Sequence, residues 1–338
     1  METEFKLSTL AKPGPDTKIL AAFGLAVLLG GGASVAIRYT YTEIPPFWAA
    51  FMRFFAAAGI FWFLMLVRRV PFPRGRALVG ALLFGFLAIG SSFALISYGL
   101  VETPASVSQM VAALVPLLTL IFASLHGLEK FSGRGILGGL LAVAGILVVF
   151  GGSLAAGVAI SIPHVIAILV GTAFIAEAGV VLKIFPRSHP YATNAIAMSV
   201  GAVMLFAIST LSGESRLLPG SAGVWLAMVY LVLGVSVGVF LLYLYILGRW
   251  TASATSYVFV LFPFVTVILA TQFADETITL AFIAGGVLVL SGVWFGALRQ
   301  EKSGKKTLKE EVVEKVEKVK VEESPQPQNV DVPGCGVT

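Results

Sequence analysis

The sequence predicts an all-α integral membrane protein, with ten transmembrane helices arranged as two inverted five-helix repeats. Three observations carry that prediction. The 338-residue chain is 57% hydrophobic and only 12% charged, with a mean hydropathy of +0.93, whereas a soluble domain is about a quarter charged. Its apolar residues fall in runs of about 20, the length that crosses ~30 Å of hydrocarbon at about 1.5 Å per residue. The second half of the chain also repeats part of the first.

Cutting the chain at charges, prolines and loop-like clusters gives the spans in order. The first, 18–38, lies between Lys18 and Arg38, and the second, 46–67, between Pro46 and Arg68. The third, 77–98, follows Arg76; the fourth, 104–125, opens at Pro104; the fifth, 134–153, opens at Arg134. The sixth, 163–183, runs from Pro163 to Lys183, and 190–211, 222–244, 251–273 and 279–298 complete the set. Gly and Pro recur inside these runs, which membrane helices tolerate better than soluble ones. Short linkers suit antiparallel neighbours.

The organisation that follows has four parts. Residues 1–17 read as a short cytoplasmic tail, because no small-residue cleavage site follows the first apolar run. Residues 18–153 and 163–298 hold five spans each. From 299 to 338 the chain becomes highly charged and then rich in Pro and Gly, which predicts a solvated, partly disordered cytoplasmic tail. Val312, Val316 and Val319 are spaced for a short surface helix within it. Cys335 lies fourth from the end, but Gly336 is not aliphatic, so the match to a prenylation box is poor.

Lys and Arg set the orientation. With the N-terminus inside, the cytoplasmic segments hold Lys6, Lys12, Lys18, Arg68, Arg69, Arg74, Arg76, Lys130, Arg134, Lys183, Arg187, Arg249, Arg299, Lys302, Lys305 and Lys306. That is 16 basic residues, against Arg38 and Arg216 outside. Both termini are therefore expected in the cytoplasm of a multi-pass cell-membrane protein. The net charge of +5 is a topology signal and gives no support to a nucleic-acid partner.

The repeat appears when the chain is slid by 147 residues. Between 98–145 and 245–292, 16 of 48 positions are identical without a gap. The matches include Pro116/Pro263, Glu129/Glu276, Gly138-Gly139/Gly285-Gly286 and Gly145/Gly292. Upstream the likeness is weaker, with Pro46-Phe47 against Pro190-Tyr191. Five spans per copy is an odd number, so the second copy enters the membrane upside down. Inverted repeats are characteristic of secondary transporters, whose site lies near the midplane between the copies.

Other chemistry finds little footing. Cys335 is the single cysteine, so no intramolecular disulfide or cysteine-based zinc site forms. His126, His164 and His189 lie in or beside loops and are not paired at metal-ligand spacing. GRGILG, 133–138, fits Gly-x-Gly-x-x-Gly but opens a membrane helix with no preceding strand. There is no His-Glu-x-x-His, Gly-x-Ser-x-Gly or Gly-x-Gly-Asp. The expectation is a protein that is not an enzyme and uses no cofactor or metal.

GGASVAIRYTYTEIPPFWAAFMR and then ETPASVSQMVAALVPLLTLIFASLHGLEKFSGRGILGGLLAVAGILVV resemble one EamA-type repeat, and RWTASATSYVFVLFPFVTVILATQFADETITLAFIAGGVLVLSGVWF resembles a second. The shared pattern is Pro-x6-Arg (Pro46 to Arg53), an Ala-Ser helix with a central proline, a loop Glu and a glycine-rich last helix. The resemblance covers about 23–298. The EamA family belongs to the drug/metabolite transporter superfamily. The resemblance implies ten helices around a central cavity and export of small metabolites, amino acids or toxic organic compounds.

Two charged residues stand well inside spans. Glu177, in GTAFIAEAGVVLK, lies six residues (about 9 Å along a helix) from Lys183. A carboxylate there costs several kcal/mol unless it faces a cavity, finds a partner or takes up a proton. The segment is similar to the first helix of the small multidrug-resistance proteins, in the same superfamily, where an embedded Glu binds proton and cationic substrate. Aligning Pro46 with Pro190 sets Ala33 opposite Glu177, so the first repeat has no matching acid. A functional carboxylate, a structural pair with a basic side chain and a neutral passive group all remain open. Arg53 is the basic counterpart: it either pairs with Glu43 or Glu102 or binds a substrate carboxylate.

The other candidates are weaker. Pro116 and Pro263 interrupt hydrogen bonding in matched helices and free carbonyls, as packing kinks or as moving hinges. Ser92, Gln109 and Tyr257 line the cavity or bond between helices. The pairs Gly135/Gly139 and Gly234/Gly238 match Gly-x3-Gly and suit close helix contact. Together these readings predict a secondary transporter of amino acids or hydrophobic amines, an exporter working by alternating access as a monomer or homodimer, with proton coupling at Glu177. Doubly charged phosphorylated sugars are disfavoured as substrates, since Arg53 is the one cation well inside a span. The competing class is a non-transporting scaffold or sensor on the same fold.

Overall fold

The structure, a computed structural model, describes residues 17–129, 133–155, 161–273 and 278–293. The N-terminal tail to residue 16, Lys130, Glu276 and the 299–338 tail with Cys335 lie outside the described residues. Every regular element among the described residues is helical. In chain order they are α1 (Thr17–Thr40), α2 (Pro46–Val67), α3 (Arg76–Glu102), α4 (Ala105–Leu125), α5 (Gly133–Ala155), α6 (Ile162–Ile184), α7 (Pro190–Leu211), α8 (Ala222–Leu247), α9 (Ala252–Phe273) and α10 (Leu280–Val293). Eight of them are long and apolar enough to cross a membrane; α5 and α10 carry shorter apolar stretches, Leu140–Val149 and Leu280–Gly292.

Proline sets several starts. Pro46 and Pro190 occupy the first helical positions of α2 and α7, and Pro163 the second of α6, where the missing N–H has no intrahelical acceptor to lose. The residues are arranged as hydrocarbon solvent dictates. Large side chains such as Leu28, Leu66 and Leu211 point outward, while Ala26, Ala57, Ala178 and Ala197 are fully buried between helices. Small residues inside let backbones approach, which replaces the hydrophobic drive that lipid removes.

Helix pairing is symmetric between the halves. α2 packs on α7 and α5 on α10. α1 packs on α9 as α6 packs on α4, and α3 packs on α6 as α8 packs on α1. α2 and α7 run antiparallel: Trp48 meets Phe206 near one end and Phe61 meets Tyr191 near the other. In α5 and α10 the glycines meet in pairs, Gly145 against Gly285 and Gly138 against Gly292. A Cβ on Gly285 would stand 2.4 Å from the Gly145 carbonyl oxygen, so only hydrogen fits.

Two loops cross-brace the halves at one end. The Glu214 carboxylate accepts from the amides of Phe47 (3.0 Å) and Trp48 (2.7 Å) at the start of α2, and from the Ser209 hydroxyl (2.8 Å). Reciprocally, Glu43 Oε2 accepts from the amides of Gly220 (2.7 Å) and Ser221 (3.1 Å) just before α8. Both carboxylates stand where helix amides have no intrahelical acceptor. Hydrogen bonds from the Ser221 side chain and amide, with that from Gly220, hold the Glu43 carboxyl below its usual range. A lowered carboxyl contributes stability above the ordinary carboxylate value and loses it as pH falls through the lowered one. Glu214→Ala removes three accepted bonds at once, and we expect a loss of about 1–2 kcal/mol, measured as a lower Tm of the purified protein.

Candidate functional site

Five helices are irregular in mid-span. α1 breaks at Gly32, between Thr17–Gly31 and Ala33–Thr40. α4 breaks after Ala112 and resumes at Val115, and α9 breaks at Tyr257. α3 widens to π-helix over Gly85–Ser91 and α8 over Tyr230–Val239. Sliding Gly85–Ser91 by the same 147 residues gives 232–238, inside the α8 stretch. Lipid tolerates irregular backbone only where protein covers it or a cavity lies beside it. At the α1 break protein supplies the bonds: the Tyr230 hydroxyl donates to the Leu29 carbonyl (2.6 Å) and the Thr266 hydroxyl to that of Gly31.

All five irregular helices line one central cavity of about 110 Å³, joined by α2 and α6. The volume suits several waters or one small metabolite. α1 contributes Gly30, Ala33, Ser34 and Ile37; α3 contributes Phe84, Ala88, Phe93 and Ile96; α4 contributes Ser108, Gln109 and Ala112. α6 brings Ile168, Thr172 and Ile175; α8 brings Val235, Val239, Phe240 and Tyr243; α9 brings Phe259 and Phe262. α2 brings Arg53, the charged residue of the wall, and among the described residues no Asp or Glu lines it.

Arg53 is 2% exposed. Its Nε donates to the Ser236 hydroxyl at 2.7 Å, from the π-helical part of α8, and its guanidinium carbon lies 4.8 Å from the Phe54 ring centre and 5.0 Å from that of Phe93. The rings hold the cation by their π faces without neutralising it. Nη2 is buried and has no hydrogen-bond partner among the described residues. Arg53 has no carboxylate partner among the described residues, and Glu43 is engaged at the start of α8. Across the wall, Gln109 Nε2 donates to the Ser34 hydroxyl (2.6 Å), leaving Oε1 buried and unpartnered. One charged donor and one acceptor thus stand uncommitted in a mostly apolar chamber.

The other expected residues fall elsewhere. Glu177 does not line the cavity, whose α6 wall includes Ile175. Its Oε1 lies 2.7 Å from Nε2 of His126, the residue that caps the end of α4, while Oε2 is buried without a partner among the described residues. The structure therefore does not bring Glu177 into the chamber with Arg53. The Ser92 hydroxyl donates to the Ala88 carbonyl of its own helix. Tyr257 sits at the α9 break, packed on the cluster of Val107, Met110 and Leu114. Pro116 is the second residue of the resumed α4, and Pro263 lies inside α9; both are buried. Sequence reasoning missed Ser236, Ser34 and His126 as partners. A lone serine in the apolar run LVLGVSVGVF was the available signal for the first.

A multi-pass helical membrane protein with a central chamber lined by helices of both halves has the build of a membrane transporter. Comparison with known proteins gives the family: the EamA-like transporter family model matches residues 17–151 and again 162–297, and the chain belongs to that family. It is 32% identical over 280 residues to the uncharacterized inner membrane transporter YedA of Escherichia coli strain K12, covering 81% of this chain and 88% of that one. It is 28% identical over 279 residues to the uncharacterized transporter YyaM of Bacillus subtilis, covering 80% and 90%. An uncharacterized transporter of Archaeoglobus fulgidus shares 23% over 273 residues, covering 80% and 95%. A solved crystal structure superposes with a TM-score of 0.63 at 19% identity, over 85% of this chain and 98% of its own, a likeness of fold.

Proposed function

We propose that this protein is a secondary transporter that exports small amino-acid-like metabolites by alternating access. The observation that carries the substrate class is Arg53, buried in the chamber with an unpartnered Nη2. A substrate carboxylate supplies the missing acceptor and charge, and an α-ammonium finds Gln109 Oε1 and the faces of Phe240 and Phe259. Hydrophobic amines are second, because the described residues of the wall offer them no acid. The mechanism needs ten crossing helices in two inverted halves with both termini in the cytoplasm. The antiparallel α2/α7 and α5/α10 pairs, the matched π-helical stretches and the symmetric packing support that arrangement.

Proton coupling is assigned to Glu177, away from the substrate. There the carboxylate and His126 join α6 to the end of α4, and a proton that breaks or makes this link biases a helix whose other half lines the chamber. The test is uptake by proteoliposomes under a pH gradient, with an amino-acid panel and wild type beside Glu177→Gln. Wild type accumulates at least one amino acid, and Glu177→Gln loses the pH dependence while still exchanging substrate. Equal rates with equal pH dependence remove Glu177 from the mechanism, and no flux of any candidate leaves the non-transporting scaffold or sensor.

A further inference from the structure

A second and larger cavity, about 470 Å³, opens at the end of the bundle where Lys and Arg concentrate, between the start of α3, the ends of α6 and α8 and the start of α7. Its charged lining residues are Lys183, Arg187 and Arg249, and among the described residues no Asp or Glu lines it. The cations are placed rather than loose. Lys183 Nζ donates to the carbonyls of Leu247 and Trp250, which fixes the ammonium and leaves one of its three N–H groups. Arg249 lies 3.8 Å over the Tyr245 ring centre and spends one bond on the Tyr245 carbonyl. The amino end of α7, opening at Pro190, adds the positive end of a helix dipole, with Ser188 and Thr193 hydroxyls beside it. Glu129, which acts electrostatically on Lys183, is held by the Ser253 hydroxyl at 2.7 Å.

We infer that this basic cavity is a binding site for a phosphoryl anion, separate from the transport chamber. Three cations and a helix amino terminus around one open space, with no acid among its described lining residues, match a multiply charged oxyanion. The transport chamber, with Arg53 as its one charged lining residue among aromatic and aliphatic side chains, does not. Two sources present that chemistry: the headgroup of an anionic phospholipid in the adjoining leaflet, where basic pockets between membrane helices meet it, and a free phosphate in the cytoplasm.

The experiment uses the full chain in nanodiscs of phosphatidylglycerol or of phosphatidylcholine, with lipid retention read by native mass spectrometry, and a parallel titration with inorganic phosphate read by thermal shift. The variant is Arg187→Gln/Arg249→Gln, which leaves the helix-ending bonds of Lys183 in place; its unliganded Tm reports whether it folds as wild type does. Wild type is expected to retain phosphatidylglycerol about tenfold better than the double variant, with phosphatidylcholine indifferent to the change. Phosphate protection lost in the variant, without a difference in lipid retention, assigns the site to a free phosphoryl ligand. Equal behaviour of folded wild type and variant in both arms overturns the inference. Transport is not read, so the outcome is independent of the transport proposal.

Discussion

Arg53→Gln is expected to abolish transport of carboxylate-bearing substrates while leaving the protein folded. Arg53 is 2% exposed, its charge unmatched by any acid among the described residues of the cavity wall. Removing one partner of a desolvated charge pair costs about 2–5 kcal/mol, or roughly 30- to several thousand-fold in affinity. The loss therefore falls on the substrate-bound state. Without substrate the change relieves an uncompensated buried cation, so the Tm should hold steady or rise. Two readouts separate the roles: binding of an amino acid falls by at least 30-fold, and that of its decarboxylated amine changes little. If both fall together, Arg53 is a structural strut between α2 and Ser236 of α8.

The second large effect is on the fold. Gly285→Leu places a side chain where the α5 backbone stands, with its Cβ 2.4 Å from the Gly145 carbonyl oxygen and 3.0 Å from the Val149 amide. Rigid backbone cannot yield as a side-chain tip can, so α5 and α10 must separate. We expect more than about 3 kcal/mol of destabilisation, beyond the usual cost of overpacking, seen as loss of monodisperse protein on extraction. Gly151→Leu on α5 is the control, since a Cβ there meets nothing within 4 Å and the Tm should move little.

The legible parts of this molecule were those with a one-dimensional signature. Apolar length and proline fixed most span limits, and α2 and α7 begin at the prolines that mark them. Arg53 and Glu177 announced themselves because charge inside a span is expensive. What those charges touch was not legible. Ser236 is 183 residues from Arg53, and His126 is 51 from Glu177. Nothing local in a serine or a loop histidine reports a partner on another helix. The π-helical turns of α3 and α8 were equally hidden, because an added residue per turn is set by packing and leaves the composition unchanged. Glycine at 85 shows this: a Cβ there would stand 2.6 Å from the Ala197 backbone, a constraint imposed by α7.

The glycine contacts of α5 and α10 also constrain movement. Under the 147-residue correspondence Gly138 matches Gly285 and Gly145 matches Gly292. The observed contacts, Gly145 with Gly285 and Gly138 with Gly292, are therefore exchanged with each other when the halves trade places. A conformational cycle in which each half adopts its twin's shape maps this seam onto itself. In the alternating-access cycle proposed above, such a seam is the fulcrum, the same at both extremes of the stroke, and the displacement falls to the helices that carry breaks and wide turns.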